Sequence, residues 1–169
     1  MSFVESEKTA LAQKVGVQPD GPGLRIDRRA ELIIFGEVLP GGAELFRQRI
    51  GQFQAEAPYW ETRIGTVHDF RIHLFDNDTR ILFAITYDGD FKPYIADIVT
   101  LVAGWFDPIF PGIWKGFVSA ADASTAQLLQ EGAVTSDFFY VAHPDVTVRD
   151  LARLKRLGKA VNELLDALN

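Results

Sequence analysis

The sequence predicts an α+β domain in which helices cover an antiparallel sheet of four strands, in the order β-α-β-β-α-β. Two observations carry this prediction. The segment from Gly65 to Asp90 alternates like a long hairpin, and segments with helical spacing of apolar residues lie on both sides of it. At 169 residues, the chain has the length of a single domain that can bury a substantial core.

The hairpin is the element around which the others are placed. Its first strand puts alternate residues on opposite faces: His68, Phe70, Ile72 and Leu74 on one face, and Val67, Asp69, Arg71, His73 and Phe75 on the other. Four turn-forming residues, 76–79, connect it to the second strand. That second strand, 80–88, is apolar on both faces, which predicts that both faces of the sheet are covered. A partner subunit is the simplest cover for the second face.

The other core elements follow from local signals. Residues 31–38 predict the first strand, in which Gly36 indicates a bulge or a close approach by another group. A helix begins after Gly42, carries an apolar stripe and has Pro58 near its end. The hairpin follows, and Asp90 is the predicted N-cap of the next helix. A loop rich in Pro, Gly and aromatic residues, 107–118, comes next, and its aromatic side chains suit a ligand lid, an interface patch or the core equally well.

The second half completes the predicted order. A short helix at 122–131 ends at Gly132, and residues 137–142 predict a fourth strand. The resulting β-α-β-β-α-β order is the ferredoxin-like one. The predicted single domain, 1–169, thus has its ferredoxin-like core at 31–142.

Extra helices are predicted at both ends of this core. Ser2 and Glu5 form a capping box for a peripheral N-terminal helix, and a linker completes the segment 1–23. Thr147 and Asp150 form a second capping box, which opens a C-terminal helix at 147–168. Its apolar side is predicted to face inward and comprises Leu151, Leu154, Gly158, Val161, Leu165 and Leu168.

Composition limits the classes of function. The net charge of −6 and the pI near 5.0 argue against partners such as nucleic acid and anionic membranes. The absence of cysteine excludes disulfides, thiolate metal sites and cysteine nucleophiles, and it is compatible with the cytoplasm, the predicted location. The first residues, MSFVESEKTALAQK, lack the features of a signal peptide. No apolar tract is long enough to predict a membrane span.

A polar strand face is the first candidate for a site. Asp69, Arg71 and His73 share it at spacings of two. A permanent cation beside a carboxylate and an imidazole suits the binding of an anionic ligand and the movement of a proton. A solvated sheet face, or an Arg71–Asp69 pair at a dimer seam, accounts for the same pattern.

The other histidines have structural and functional interpretations as well. His68 lies on the apolar face, where a histidine bonded to backbone is common, and it can join Arg71 in one site only if a bulge separates them. His143 is either a haem ligand or a strand-end residue held extended by Pro144. No spacing of residues predicts a metal site or attached haem, so no cofactor is expected and haem remains the alternative.

Several of these residues resemble a pattern in bacterial proteins of the dimeric α+β barrel type. The pattern is H-x-x-R on one strand (His68, Arg71), then L-F and D-G on the next, and Y-x-x-D on the helix (Tyr94, Asp97). The resemblance covers about half of the chain, from His68 onward. It implies a homodimer whose two sheets face each other around a cavity. The superfamily includes haem peroxidases, chlorite dismutases and cofactor-free monooxygenases, so it implies no single chemistry.

The predicted function is small-molecule binding in a cavity between sheets, with an oxidative accessory role. His68, Asp69, Arg71 and His73 are the candidate ligand-binding residues, and catalytic residues are left unassigned. Two alternatives stand beside it. One is a cofactor-free monooxygenase or haem-dependent enzyme of the dimeric α+β barrel type, and the other is a non-enzymatic interaction module that docks through its aromatic loop.

Overall fold

The structure is a computed structural model that describes residues 14–168, and in this part of the chain six strands and five helices form one α+β unit. The strands are Val15–Val17 (β1), Leu24–Ile26 (β2), Arg29–Glu37 (β3), Val67–Phe75 (β4), Arg80–Asp88 (β5) and Ala133–Val134 (β6). The helices are Gly42–Ile64 (α1), Phe91–Leu101 (α2), Ala103–Phe106 (α3), Ala123–Gly132 (α4) and Val148–Ala167 (α5). The predicted α+β class is confirmed.

All strands pair antiparallel in one sheet with the order β1-β2-β3-β5-β4. The short strand β6 pairs with the middle of β3, on the edge that β2 also uses. The predicted hairpin is confirmed as β4 and β5. Its turn places Asp76, Asn77 and Asp78 at φ of 54°, 53° and 65°, a conformation that Asn and Asp adopt more readily than most residues.

The predicted fourth strand at 137–142 is wrong, because these residues do not form a strand and belong to no sheet among residues 14–168. The chain instead adds only the two residues of β6 to the sheet and then turns away. The buried carboxylate of Glu31 accepts hydrogen bonds from the Ser136 backbone N–H at 3.0 Å and from its hydroxyl at 2.7 Å. These hydrogen bonds hold Ser136 against the Glu31 side chain of β3. The residues after Ser136 therefore cross the face of the sheet and do not add a strand to the edge of the sheet.

Helices cover one face of the sheet, and the core lies between them. Phe46 and Phe53 of α1 pack there with the predicted apolar stripe of α2. Phe106 at the end of α3 is buried in the same core, as are the aromatic residues of the loop after it, Phe110, Trp114 and Phe117. Gly36 allows this packing, since a Cβ at that position would lie 2.2 Å from the indole nitrogen of Trp114. The close approach predicted at Gly36 is therefore confirmed.

Two helices differ in detail from their prediction. Asp90 is the N-cap residue of α2, but its side chain makes no capping bond. The carboxylate of Asp20 takes this role, accepting from the backbone N–H groups of Phe91 at 3.2 Å and Lys92 at 2.8 Å. The helix α1 runs six residues past Pro58, to Ile64, although a proline within a helix removes a backbone donor and crowds the preceding turn.

The C-terminal helix α5 begins at the predicted capping box, in which the Thr147 hydroxyl accepts from the Asp150 backbone N–H and the Asp150 carboxylate accepts from that of Thr147. The predicted inward packing of its apolar residues is wrong within one chain, since no residue of α5 is buried. At the other end of the chain, the predicted N-terminal helix lies largely outside the described residues. Val15 and Gly16, at its predicted end, belong to β1.

Candidate functional site

A cavity of about 530 Å³ lies between the helix-covered face of the sheet and α1, α2 and α3. Its walls are mainly aromatic and aliphatic. They include Ile34, Phe53, Phe70, Phe83, Ile95 and Trp105. Phe53 stacks on Trp105 with ring centroids 4.1 Å apart and lies edge-on to Phe70. This volume is within the range of about 300–1,000 Å³ that small-molecule sites occupy.

Tyr94 of α2 is a polar residue of the cavity wall. The residue is 4% exposed. Its ring stacks on Tyr87 of β5 at 3.9 Å, whereas the Tyr87 hydroxyl donates to Gln18 Oε1 at 2.8 Å. Burial raises the pKa of both phenols, so both remain protonated at neutral pH. Tyr94 therefore offers a neutral donor and acceptor to a bound molecule.

His68 lines the same cavity from the start of β4. A β-bulge lies at this position, because Val67 pairs with Tyr87 while Asp69 pairs with the adjacent Thr86. Alternation along β4 places the His68 ring with Phe70 on the helix-covered side, where its Nε2 is 2.8 Å from Asp88 Oδ1. The bulge brings Val67 to this side as well, so its predicted place on the opposite face is wrong. Burial lowers the pKa of His68, and the adjacent Asp88 carboxylate opposes this shift without reversing it. The imidazole is thus mainly neutral at pH 7, with Nε2–H donating to Asp88.

Asp88 joins His68 to two further groups. Its Oδ1 lies 3.3 Å from the Arg29 Nε, and its Oδ2 accepts from the Val148 backbone N–H at 2.7 Å. Arg29 in turn donates to the Val146 carbonyl oxygen. Burial lowers the pKa of Arg29, an effect that the Asp88 charge opposes. This cluster of Arg29, His68 and Asp88 therefore fastens the N-terminus of α5 to the sheet beside the cavity.

Acidic and neutral polar residues complete the cavity where it reaches solvent. Glu61, Gln54 and Thr62 come from the last turns of α1, and Asp69 comes from β4. No Lys or Arg of the described chain lines the cavity. The opening therefore carries negative charge, which disfavours an anionic group and favours a neutral or cationic one.

The opposite face of the sheet bears a groove of about 610 Å³. Residues 138–142, the segment predicted as a strand, form one wall, and Ile33 and Ala84 form its floor. Asp69 and Arg71 line its rim with their side chains 3.0 Å apart. The Arg71 side chain is 72% exposed, so this pair is a surface ion pair.

The four predicted ligand-binding residues are therefore divided between two surfaces. Asp69 and Arg71 lie together on the groove, with Asp69 also reaching the cavity opening, and the exposed His73 lies on the same face but outside the groove lining. His68 lies in the cavity, apart from Arg71. A joint site of His68 and Arg71 would require a bulge between them, but the strand pairs regularly from Asp69 to Phe75 and its bulge lies before Asp69, so His68 contacts Asp88 and not Arg71. His143 is exposed in the loop before α5.

Sequence reasoning missed Asp88, Arg29 and the separate role of Tyr94. Asp88 and Tyr94 entered only through the D-G and Y-x-x-D parts of the resemblance. Each of these two residues carried one signal. Asp88 is a carboxylate that ends an otherwise apolar strand, and Tyr94 lies on the same helical face as Ile95 and Ile98.

Two searches of the described residues give negative results. No three His, Asp or Glu side chains of residues 14–168 are grouped as a metal site would require. No helix in this part of the chain combines the length and apolarity needed to cross a membrane.

Comparison of the chain with protein-family models, with curated proteins and with solved structures finds no match. The resemblance to dimeric α+β barrel proteins stays a prediction. A functional assignment depends on the geometry of the cavity and the groove.

Proposed function

We propose that the protein binds a small, largely apolar molecule in the cavity between the sheet and its helices. The observation that carries this proposal is an apolar cavity of about 530 Å³ whose few polar lining residues include Tyr94 and His68. Apolar walls with few polar groups are also the usual composition of small-molecule sites.

The charges around the cavity define the ligand further. Glu61 and Asp69 at the opening repel an anion, and His68 is mainly neutral because burial lowers its pKa. The aromatic walls around Phe53 and Trp105 suit a flat ring system or a branched hydrocarbon. The preferred ligand is therefore an aromatic or aliphatic molecule that carries a hydroxyl, carbonyl or amine group and no carboxylate.

Small-molecule binding was also predicted from the sequence, but the binding cavity proposed here lies elsewhere in the molecule. The cavity lies between the sheet and the helices of a single chain, whereas the sequence analysis expected it between two sheets. The oxidative accessory role and the cofactor-free or haem-dependent chemistry stay predictions, as do the homodimer and its α+β barrel form.

A binding experiment with two dyes of opposite character tests the proposal. The neutral dye N-phenyl-1-naphthylamine is expected to bind with a rise in fluorescence, and the anionic dye 8-anilinonaphthalene-1-sulfonate is expected to bind at least about tenfold more weakly because of the acidic opening. The Ala57→Phe variant fills the cavity from α1 and should weaken binding of the neutral dye by about tenfold or more.

The matched control is Ala55→Phe, which adds the same ring to an exposed position of α1 and should leave binding unchanged. Equal affinity of the neutral dye for both variants would contradict binding in this cavity. Equal binding of the two dyes to the unaltered protein would contradict the proposed charge preference.

A further inference from the structure

The helix α5 is amphipathic, and none of its residues is buried in the part of the chain that the structure describes. Its large apolar side chains are 41% to 76% exposed: Leu151, Leu154, Leu157, Val161, Leu164, Leu165 and Leu168. At 100° per residue these side chains form an apolar stripe that covers about 140° of the helix surface. This stripe is wider than the a/d seam of a coiled coil and is typical of a helix that packs against a broad surface. Its lysine and arginine residues lie on the other side.

The helix is held at its base and is therefore not a loose tail. Its first turn has a complete capping box, and the Val148 N–H donates to the buried Asp88 carboxylate. Arg29 binds the Val146 carbonyl oxygen just before it. These contacts fix where α5 leaves the sheet, and from that point no residue of α5 is buried.

The same chain carries an apolar sheet surface that residues 138–142 border and that stays only half-buried within the described residues. The sheet face opposite the core presents Ile33 and Phe35 of β3 and Leu82 and Ala84 of β5, all only half-buried. The groove on this face is bordered by Phe138, which is 80% exposed. Amphipathic helices commonly bind in apolar grooves of this kind.

Charge favours a second copy of the chain as the partner. The helix α5 contains five basic and three acidic residues and so carries a charge of +2. Because the whole chain carries −6, the remainder carries −8. A basic helix of one copy is thus attracted to the acidic body of another, whereas the same acidic body opposes binding to an anionic membrane.

We infer that two copies of the chain form a twofold symmetric dimer in which α5 of each copy docks on the exposed sheet face of the other. A twofold interface uses the same surfaces on both subunits, and here one chain supplies both the helix and the groove. The inference goes beyond the ligand cavity, which lies on the opposite face of the sheet, and does not depend on it.

The first measurement is the mass of the full chain in solution by sedimentation. We expect a dimer, with twice the chain mass of 18.8 kDa, at micromolar concentration. The double variant Leu154→Glu and Val161→Glu changes the centre of the apolar side and should raise the dissociation constant by about 100-fold or more. The control adds the same two charges on the polar side, as Ala152→Glu and Asn162→Glu, and should remain dimeric.

A mixing experiment separates helix-on-sheet docking from helix-on-helix pairing. Leu82→Glu on the sheet face should also give a monomer. Mixing the helix variant with Leu82→Glu should restore a dimer of mixed composition, since one intact helix then meets one intact groove. Circular dichroism confirms that each variant is folded. If the helix variant is not folded, Leu154→Ala with Val161→Ala replaces it in the same assays. If Leu82→Glu is not folded, Leu82→Ala replaces it.

Three outcomes would overturn the inference. The first is that the unaltered protein stays monomeric, whether or not it binds anionic vesicles through α5. The second is a sheet-face variant that dimerises like the unaltered chain, which would indicate pairing of two α5 helices. The third is a failure of the two variants to associate on mixing.

Discussion

At the scale of single residues, Asp88 connects more separate parts of the chain than its place at a strand end suggests. Its two oxygens contact His68 of β4, Arg29 of β3 and the first backbone N–H of α5. Three of these four participants come from neighbouring strands, so the cluster fastens α5 to the middle of the sheet. A buried carboxylate is stabilised in this way because every one of its partners is a donor or a cation.

The first prediction concerns pH and His68. Burial lowers the pKa of His68 below its ordinary value of 6.5, so between those two values the unfolded chain binds more protons than the folded one. The free energy of unfolding must therefore fall as the pH is lowered through about 6.5 and recover as it is raised. Urea titrations at several pH values between about 7.5 and about 5 should show this decline in the unaltered protein and a smaller one in His68→Gln.

The control for this prediction is His73→Gln, which changes an exposed histidine on the same strand. It should keep the decline of the unaltered protein. The carboxylates whose pKa values are lowered, among them Asp20 and Glu37, start from ordinary values of 3.8 for Asp and 4.5 for Glu, so they lose their contribution below this window. A decline of the same size in His68→Gln would show that another group is responsible.

Sequence reasoning predicted the exposed polar strand face but not the buried cluster, and the difference has a physical cause. Asp69, Arg71 and His73 share a face because alternation along one strand is local. The contact of His68 with Asp88 depends on the register between two strands. The contact with Val148 spans 60 residues of sequence. Neither can be obtained from the spacing of residues within one segment.

At the scale of elements, the start of α2 shows how a distant segment supplies a cap. Asp20 lies in the stretch between β1 and β2, which the sequence presents as a linker. Its carboxylate accepts from two of the free N–H groups of α2. Burial raises the pKa of Asp20, but the hydrogen bonds from Lys92 and Phe91 outweigh this effect and hold the pKa below its ordinary value. The segment before the sheet is therefore attached to the core through this helix.

The second prediction compares the two acidic residues at this helix. Removing the cap in Asp20→Ala should lower the free energy of unfolding by about 0.5–2 kcal/mol, the usual value of an N-cap side chain. Asp90→Ala should cost less, because the Asp90 side chain makes no capping bond and forms only a part-exposed ion pair with Arg25. Urea denaturation of the two variants measures both values, and a larger loss in Asp90→Ala would contradict the assignment of the cap.

Elements with strong local signals were predicted well, and elements defined by pairing were not. The bounds of β4 and β5, the start of α4 at Asp122 and the capping box of α5 all follow from neighbouring residues. The segment 137–142 has the composition of a strand, yet Glu31 holds Ser136 and directs it across the sheet. Composition gives the tendency to form a strand, and contacts with residues far away in sequence decide whether a partner edge is free.

At the scale of the whole molecule, the two faces of the sheet have different surroundings. One face is covered by α1, α2 and α3 and contains the cavity proposed for a ligand. The other face is half-buried and apolar, and it lies on the same chain as the exposed side of α5. The strand β5 is apolar on both sides because it lies between these two environments, which is the property that led the sequence analysis to expect a partner.

The last prediction follows from the unequal distribution of charge. The inferred dimer places a helix of charge +2 on a body of charge −8, so part of its stability is electrostatic and is screened by salt. We expect the dissociation constant, measured by sedimentation, to rise by about 3- to 10-fold between about 50 mM and about 500 mM sodium chloride.

Lys155→Gln with Arg156→Gln removes the net charge of α5 and leaves its apolar side intact. This variant should associate more weakly at low salt and depend less on salt. A dissociation constant that fell with added salt in the unaltered protein would indicate an interface held by apolar contact alone, and the attraction between helix and body would then contribute nothing to pairing.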